Sequence, residues 1–186
     1  MAGGMAAQGA IWRETVRRAA TRGGALAAAA GMFASMALMA LALASYHTTD
    51  PALNTAAEGP ARNLLGLPGA WLSDLLLSLF GPPVALLLPV GAIAGLRLWR
   101  GVPANGWKRS LAITAIGVLL LGVGLSLLAG GSVTGLPAGW GGGLGLAIAG
   151  GLDALIGLIG AAPWETALRI LAILLFGVGG LVVWML

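Results

Sequence analysis

Ser45, His47 and Asp50 stand within six residues of one another, and a hydroxyl, an imidazole and a carboxylate are the parts of a nucleophilic triad. Working triads draw those parts from distant segments that a rigid scaffold holds in hydrogen-bond geometry. Here they follow one another beside Thr48 and Thr49, the arrangement of a polar collar where a helix meets water. His47 is the sole histidine and cysteine is absent, so the three or four ligands of a zinc site are not found around Asp50, and no disulfide can form. A second stretch, Gly101 to Ser110, comes within one residue of a phosphate-binding loop. In that motif a lysine directly follows the second glycine and a strand precedes the first; here Trp107 separates Gly106 from Lys108 and an apolar span precedes Gly101. Gly139 to Gly143 stops short of a dinucleotide fingerprint because Leu144 stands where a glycine is needed. None of these patterns is complete. The expectation is a chain with no catalytic, metal or cofactor site.

The elements that hold these residues are written in charge. Of ten Lys and Arg residues, eight fall in two places, Arg13 to Arg22 and Arg97 to Arg109. Ala25 to Ser45 and Leu111 to Ala129 are uncharged, and about 20 helical residues reach ~30 Å, the thickness of a bilayer's hydrocarbon core. With 59% hydrophobic and 9% charged residues, and a mean hydropathy of +0.96, the composition is that of a membrane protein. The net charge of +4 and high pI are explained by juxtamembrane loops and contact with anionic lipid rather than by direct DNA binding. Ala42-Leu43-Ala44 resembles a signal-peptidase site, but the run before it is too long and further spans follow, so the first span stays uncleaved.

The sequence predicts an all-α integral membrane protein with four transmembrane helices and interfacial amphipathic helices in the outward loops. Residues 1–24 form a cytoplasmic tail, irregular over 1–10. From Ile11 it carries a face of Ile11, Trp12, Thr15, Val16 and Ala19 opposite Arg13, Glu14, Arg17 and Arg18, as in a short helix lying on the cytoplasmic leaflet; the alternative is an irregular tail held only by charge. Spans cover about 25–45, 82–99, 110–130 and 164–186, outward helices about 70–80 and 144–160. Basic residues collect on the cytoplasmic side, so both termini and the central loop face the cytoplasm. Thr48 to Pro51, Asn54, Glu58 to Pro60 and Leu67 to Gly69 make the first outward loop, and Gly81-Pro82-Pro83 breaks the helix that follows. The helix before that break carries Asp74 near the water, and Pro89 kinks the second span. The stretch 144–162 holds Asp153 at its centre and five glycines, which argues for an interfacial or re-entrant segment rather than a fifth span. Laying Asp74 on Asp153 and Gly81 on Gly160 exposes an internal repeat of span, outward helix, break and span.

Small residues recur at spacing four: Ala27, Gly31 and Ser35 in the first span, Gly91 and Gly95 in the second, Gly122, Ser126 and Gly130 in the third. Such ladders let helix backbones approach closely, either within the chain or between subunits. The seven tryptophans fall mostly near span ends, as interfacial aromatics do. Asp74, Gly81, Pro89, Gly31, Gly91, Gly95, Gly122, Ser126 and Asp153 are therefore the candidate structural or partner-contact residues.

The motifs Ser45-Tyr46, Asp50-Pro51 with Asn54, Asn63-Leu64 with Gly66, Pro68 to Leu72, Asp74-Leu75, Leu79 to Gly81, Leu88-Pro89 and Leu136 to Gly142 together are similar to the N-terminal membrane domain of the FtsK/SpoIIIE family of bacterial DNA translocases. The resemblance covers about residues 36 to 186, Asn63 to Gly81 being its most specific block; Pro82-Pro83 is more proline-rich than the family's pattern. It implies a four-span inner-membrane anchor at the division septum, non-enzymatic in itself. In the family it is followed by a linker and a hexameric ATPase motor that moves double-stranded DNA. It also implies homo-oligomerisation through that motor, contact with other division proteins, and ATP and Mg acting only in the motor, which this chain does not include. The competing expectation is a small multispan transporter or channel, since Gly/Pro-interrupted segments at matching places in two halves can mark a substrate site. Transport commonly needs ionisable groups at mid-membrane, and the four spans offer none there.

Overall fold

The computed structural model describes residues 2–52, 55, 57, 59–102, 106–131, 133–158 and 162–185. Asn54, Ala56, Glu58, Pro103, Ala104, Asn105, Gly160 and Leu186, which the sequence placed in turns, loops or at a span end, lie outside the described residues. The chain forms helices α1 (Ala2–Ala44), α2 (Gly66–Phe80), a 3-10 segment (Pro82–Leu86), α3 (Leu87–Trp99), α4 (Trp107–Ala129), α5 (Gly142–Gly157) and α6 (Ala162–Met185). The described residues hold no strand, and one isolated bridge joins Ala52 to Thr55.

Among the described residues four helical stretches are long and apolar enough to cross a membrane: Ile11–Ala44, Pro82–Trp99, Trp107–Ala129 and Pro163–Met185. The order is span, shorter apolar helix, span, given twice. Within each half the spans pair, α1 on α3 and α4 on α6, while α5 lies on α4 and α2 touches both α1 and α5. α4 is the hub. Half of its span is buried, against 11% for α1, 17% for the Pro82–Trp99 span and 6% for α6. The core follows from this: Val123 and Leu127 of α4 meet Ala149 of α5, surrounded by Leu152, Ala172, Ile173 and Phe176.

Several expectations are corrected. α1 starts at Ala2 and runs unbroken through the basic segment into the first span, so residues 2–10 are helical rather than irregular and no break sets the basic segment apart. α2 starts at Gly66, earlier than the turn-forming Leu67-Pro68-Gly69 implied, because Pro68 falls in its first turn, where a backbone N–H has no helical partner to lose. Pro89 also falls in a first turn, that of α3, and is not a kink inside an α-helix. Its ring cannot donate to the Ala85 carbonyl four residues back, and the chain before it winds as the tighter 3-10 form.

Asp74 is the largest correction. α2 is inverted relative to a helix on a water-facing surface: Gly69, Ala70, Ser73, Asp74 and Leu77 are buried, while Trp71, Leu72, Leu75 and Leu79 are exposed. At 100° per residue the exposed four fall in an arc of about 100°. Such a face suits lipid rather than water, so α2 turns its apolar side outward from the bundle and its polar side to protein.

Candidate functional site

Ser45, His47 and Asp50, read as a polar collar rather than a triad, are bound to backbone. Ser45 Oγ donates to Leu41 O at 2.6 Å and accepts from Leu64 N at 3.1 Å. Asp50, 3% exposed, accepts Arg62 N at 2.8 Å through Oδ1 and Asn63 N at 2.9 Å through Oδ2. The Asn63 side chain closes the set: Nδ2 donates to Ala42 O (2.9 Å) and Ser45 O (3.2 Å), and Oδ1 accepts from Leu65 N (3.0 Å). Nδ1 of His47 lies 3.0 Å from the Ser45 carbonyl, not from its hydroxyl. Every side-chain polar atom of Asp50 and Asn63 thus serves the chain's own backbone, joining the end of α1, where carbonyls lose their helical partners, to the start of α2. A Cβ on Gly69 would collide with the Asn63 side chain, so that glycine keeps α2 against the clasp.

Asp74 lies on the inner side of the same junction. Its Oδ2 is buried without a protein partner, as are Ser78 Oγ one turn on and Ser126 Oγ of α4. Burial raises the Asp74 carboxyl above the usual carboxylate range, and a hydrogen bond from Tyr46 pulls the other way. Tyr46 is raised in turn, first by burial and then by the charges of Asp74 and Asp50.

The two halves meet where glycines let backbone touch backbone. Gly81 has φ 67° and ψ −170°, a region open to almost no other residue, and a Cβ there would strike the Trp140 carbonyl and Gly142 N. The Trp140–Gly142 segment passes between the end of α2 and α4, where Cβ atoms on Gly141 or Gly145 would strike Gly122. Ser126 borders the same crossing beside Gly141. Gly122 and Ser126 therefore face this chain's own α5 and the segment leading into it. Gly91 receives Met36 and Gly95 receives Phe33, both from α1. Gly31 differs: a Cβ there meets nothing, and Ala27, Gly31 and Ser35 line an exposed face of α1.

Reading the sequence at spacing four missed the seam between α4 and α6. Gly117 and Gly124 of α4 stand against Gly177, Gly180 and Trp184 of α6, at distances that leave no room for a methyl group without a shift. Their signal was a spacing of seven in one helix and three in the other. It also missed Arg169, whose Nη2 donates to Leu127 O in the last turn of α4 (3.2 Å) and stands 3.6 Å from Asp153 Oδ2. That cation meets an orphan carbonyl at a helix C-terminus and an acid from α5, so one side chain links α4, α5 and α6.

The phosphate-loop look-alike is a helix start. Gly106 caps α4 with φ 84°, and Lys108 stands 5.8 Å from the centre of the Trp107 ring. Among the described residues no group of three or more His, Cys, Asp or Glu could hold a metal ion.

Comparison with known proteins converges on one family. Residues 22–185 match the 4TM region of DNA translocase FtsK/SpoIIIE. The chain is 34% identical over 94 residues to the DNA translocase FtsK of Brucella melitensis, covering 50% of this chain and 12% of that protein. It is 34% identical over 94 residues to that of Brucella suis (50% and 11%) and 32% identical over 107 residues to that of Rickettsia bellii (57% and 14%). The matched part is thus a small fraction of each relative. No solved structure matches.

Proposed function

The chain belongs to the family of the FtsK/SpoIIIE 4TM membrane region, and from that premise we propose that it anchors a DNA translocase in the bacterial inner membrane at the division septum. The observation that carries this reading is the match across all four spans, residues 22–185, whose relatives are DNA translocases. The anchor itself does no chemistry in this reading: Ser45, Asp50 and Asn63 spend their polar atoms on backbone, and ATP, Mg and double-stranded DNA are handled by a motor region elsewhere in the full protein.

Both termini face the cytoplasm in the proposed topology. Arg22 at one end of the bundle donates to the Trp99 carbonyl, which gathers Arg22, Arg97, Arg100, Lys108 and Arg109 on one side, as the positive-inside rule expects. Subunits associate through the motor, and contacts between anchors need only be weak, because linkage raises their effective concentration. Other division proteins meet the outward helices and loops.

The test is replacement. This chain, substituted for the membrane region of an FtsK-type translocase and tagged with a fluorescent protein, is expected to gather at the septum and support division. Uniform membrane fluorescence with filamentous cells would overturn the reading. Topology is checked by an impermeant maleimide on single cysteines at Ala56, Ala104 and Ala138. Labelling of Ala56→Cys and Ala138→Cys but not Ala104→Cys in intact cells is expected, and the reverse pattern refutes the orientation.

A further inference from the structure

Among the described residues, the arm of α1 from Ile11 to Arg22 stands exposed along its length and is bonded to another helix only at its base, through Arg22. Every residue from Ile11 to Gly24 is exposed, including Ile11 at 66%, Trp12 at 69% and Val16 at 46%. At 100° per residue Ile11, Thr15, Ala19, Trp12 and Val16 occupy an arc of about 140°, with Arg18 at one edge and Arg13 at the other. Arg18 is paired with Glu14 at 2.9 Å, and Arg13 and Arg17 leave the arm positive.

Two further observations fix where this arm stands and how it can move. Arg22 donates to Trp99 O at 2.6 Å and to Leu98 O at 3.5 Å. That pins the base of the arm level with Trp99, the end of α3, beside the loop that carries Arg100 and leads to Trp107, Lys108 and Arg109, a belt of aromatic and basic side chains typical of a membrane surface. Immediately after Arg22 come Gly23 and Gly24, where a Cβ would meet nothing. Adjacent glycines in an unsupported helix are a common place for it to bend. Arg22 itself lies about 20° around the axis from Ile11, so the apolar arc is turned toward the side where α3 reaches the surface.

We propose that Gly23-Gly24 is a hinge about which the Ile11–Arg22 arm folds onto the bilayer surface, and that anionic lipid is what its face binds. Ile11, Trp12 and Val16 enter the acyl boundary while Arg13, Arg17 and Arg18 reach headgroup phosphates from its edges. A second copy of the arm fits less well, since joining two such arcs sets arginine edge against arginine edge. The proposal takes from the proposed topology only that this end of α1 emerges at a membrane surface, and neither septal localisation nor a motor enters its test.

The experiment places nitroxide labels on Thr15→Cys, in the apolar arc, and Thr21→Cys, outside it, of the full chain in nanodiscs. Accessibility to oxygen and to a water-soluble nickel chelate is compared in phosphatidylglycerol and in phosphatidylcholine. The expected result is a several-fold rise in the oxygen-to-nickel ratio at Thr15→Cys in phosphatidylglycerol, reversed by high salt, with Thr21→Cys staying nickel-accessible. Equal nickel access at Thr15→Cys in both lipids overturns the proposal, and label–label broadening independent of lipid charge overturns it in favour of a second copy. Gly23→Ala with Gly24→Ala stiffens the helix without touching the arm's face and should abolish the rise. An unchanged rise in that variant refutes the hinge.

Discussion

The two halves share an order of elements and differ in how their spans are joined. In the first half bulky side chains fill notches, Met36 over Gly91 and Phe33 over Gly95. In the second, backbone meets backbone along Gly117, Gly124, Gly177 and Gly180. Their carboxylates differ as well: Asp74 is buried with Tyr46 beside it, whereas Asp153 lies opposite Arg169. The contrast teaches that a repeated outline does not carry repeated chemistry. A notch filled by methionine or phenylalanine adapts to a change by rotamer shifts; a backbone seam has nothing to move.

The largest effect that could break this comparison is expected at the seam. Gly124→Leu forces a side chain into the α6 backbone and should cost about 3 kcal/mol, the upper range for overpacking. Gly95→Ala, facing the Phe33 ring, should cost well under half of that. Thermal unfolding in detergent ranks the two, and equal losses would dissolve the distinction. Next comes Gly81→Leu at the crossing between halves, where the backbone conformation alone is worth about 1–3 kcal/mol. Insertion should survive while septal recruitment of a full-length carrier falls; wild-type recruitment counts against it.

Asn63→Ala removes the closure of the first half's clasp and should cost about 1–3 kcal/mol, as for buried groups left without partners. Asp74→Asn sharpens the carboxylate contrast through pH. A carboxyl raised in the folded state binds its proton more readily there than in the unfolded chain, so its contribution is complete below the ordinary carboxylate pKa and is lost as pH rises through the raised one. The wild type should lose stability on that upward titration, and Asp74→Asn should flatten the slope. An unchanged slope in Asp74→Asn would assign the effect elsewhere. The smallest effect belongs to Gly31→Ile, which faces open space and should shift stability by no more than about 0.5 kcal/mol, whereas Gly122→Ile should destabilise strongly. If Gly31→Ile also weakens crosslinked oligomers in native membranes, the open face of α1 joins subunits. An unchanged crosslinking ladder excludes it.

Spans, the shorter helices between them and family were legible in the sequence because length, charge and hydropathy act over many residues at once. Asp74 was misplaced because hydropathy assumes that a lone acid seeks water, and the inverted face of α2 emerges only when Trp71, Leu72, Leu75 and Leu79 are seen on its outer side. Asp50 and Asn63 belonged to the recognised motifs, yet their role depends on backbone groups of Ala42, Ser45 and Leu65 that no residue type announces. Arg169 gave no signal because its partner is a helix end whose location is a matter of packing.

The glycine seam between α4 and α6 has a mechanical meaning. A pull along the axis of α6 loads Gly177, Gly180, Trp184 and Arg169 together and in shear, so contacts along the helix resist at once rather than peeling in turn. The tension passes to α4, and from there through the Trp140–Gly142 crossing to Gly81 and the first half. A joint made of touching backbones stretches little before it slips, which suits α6 to transmit force rather than to absorb it.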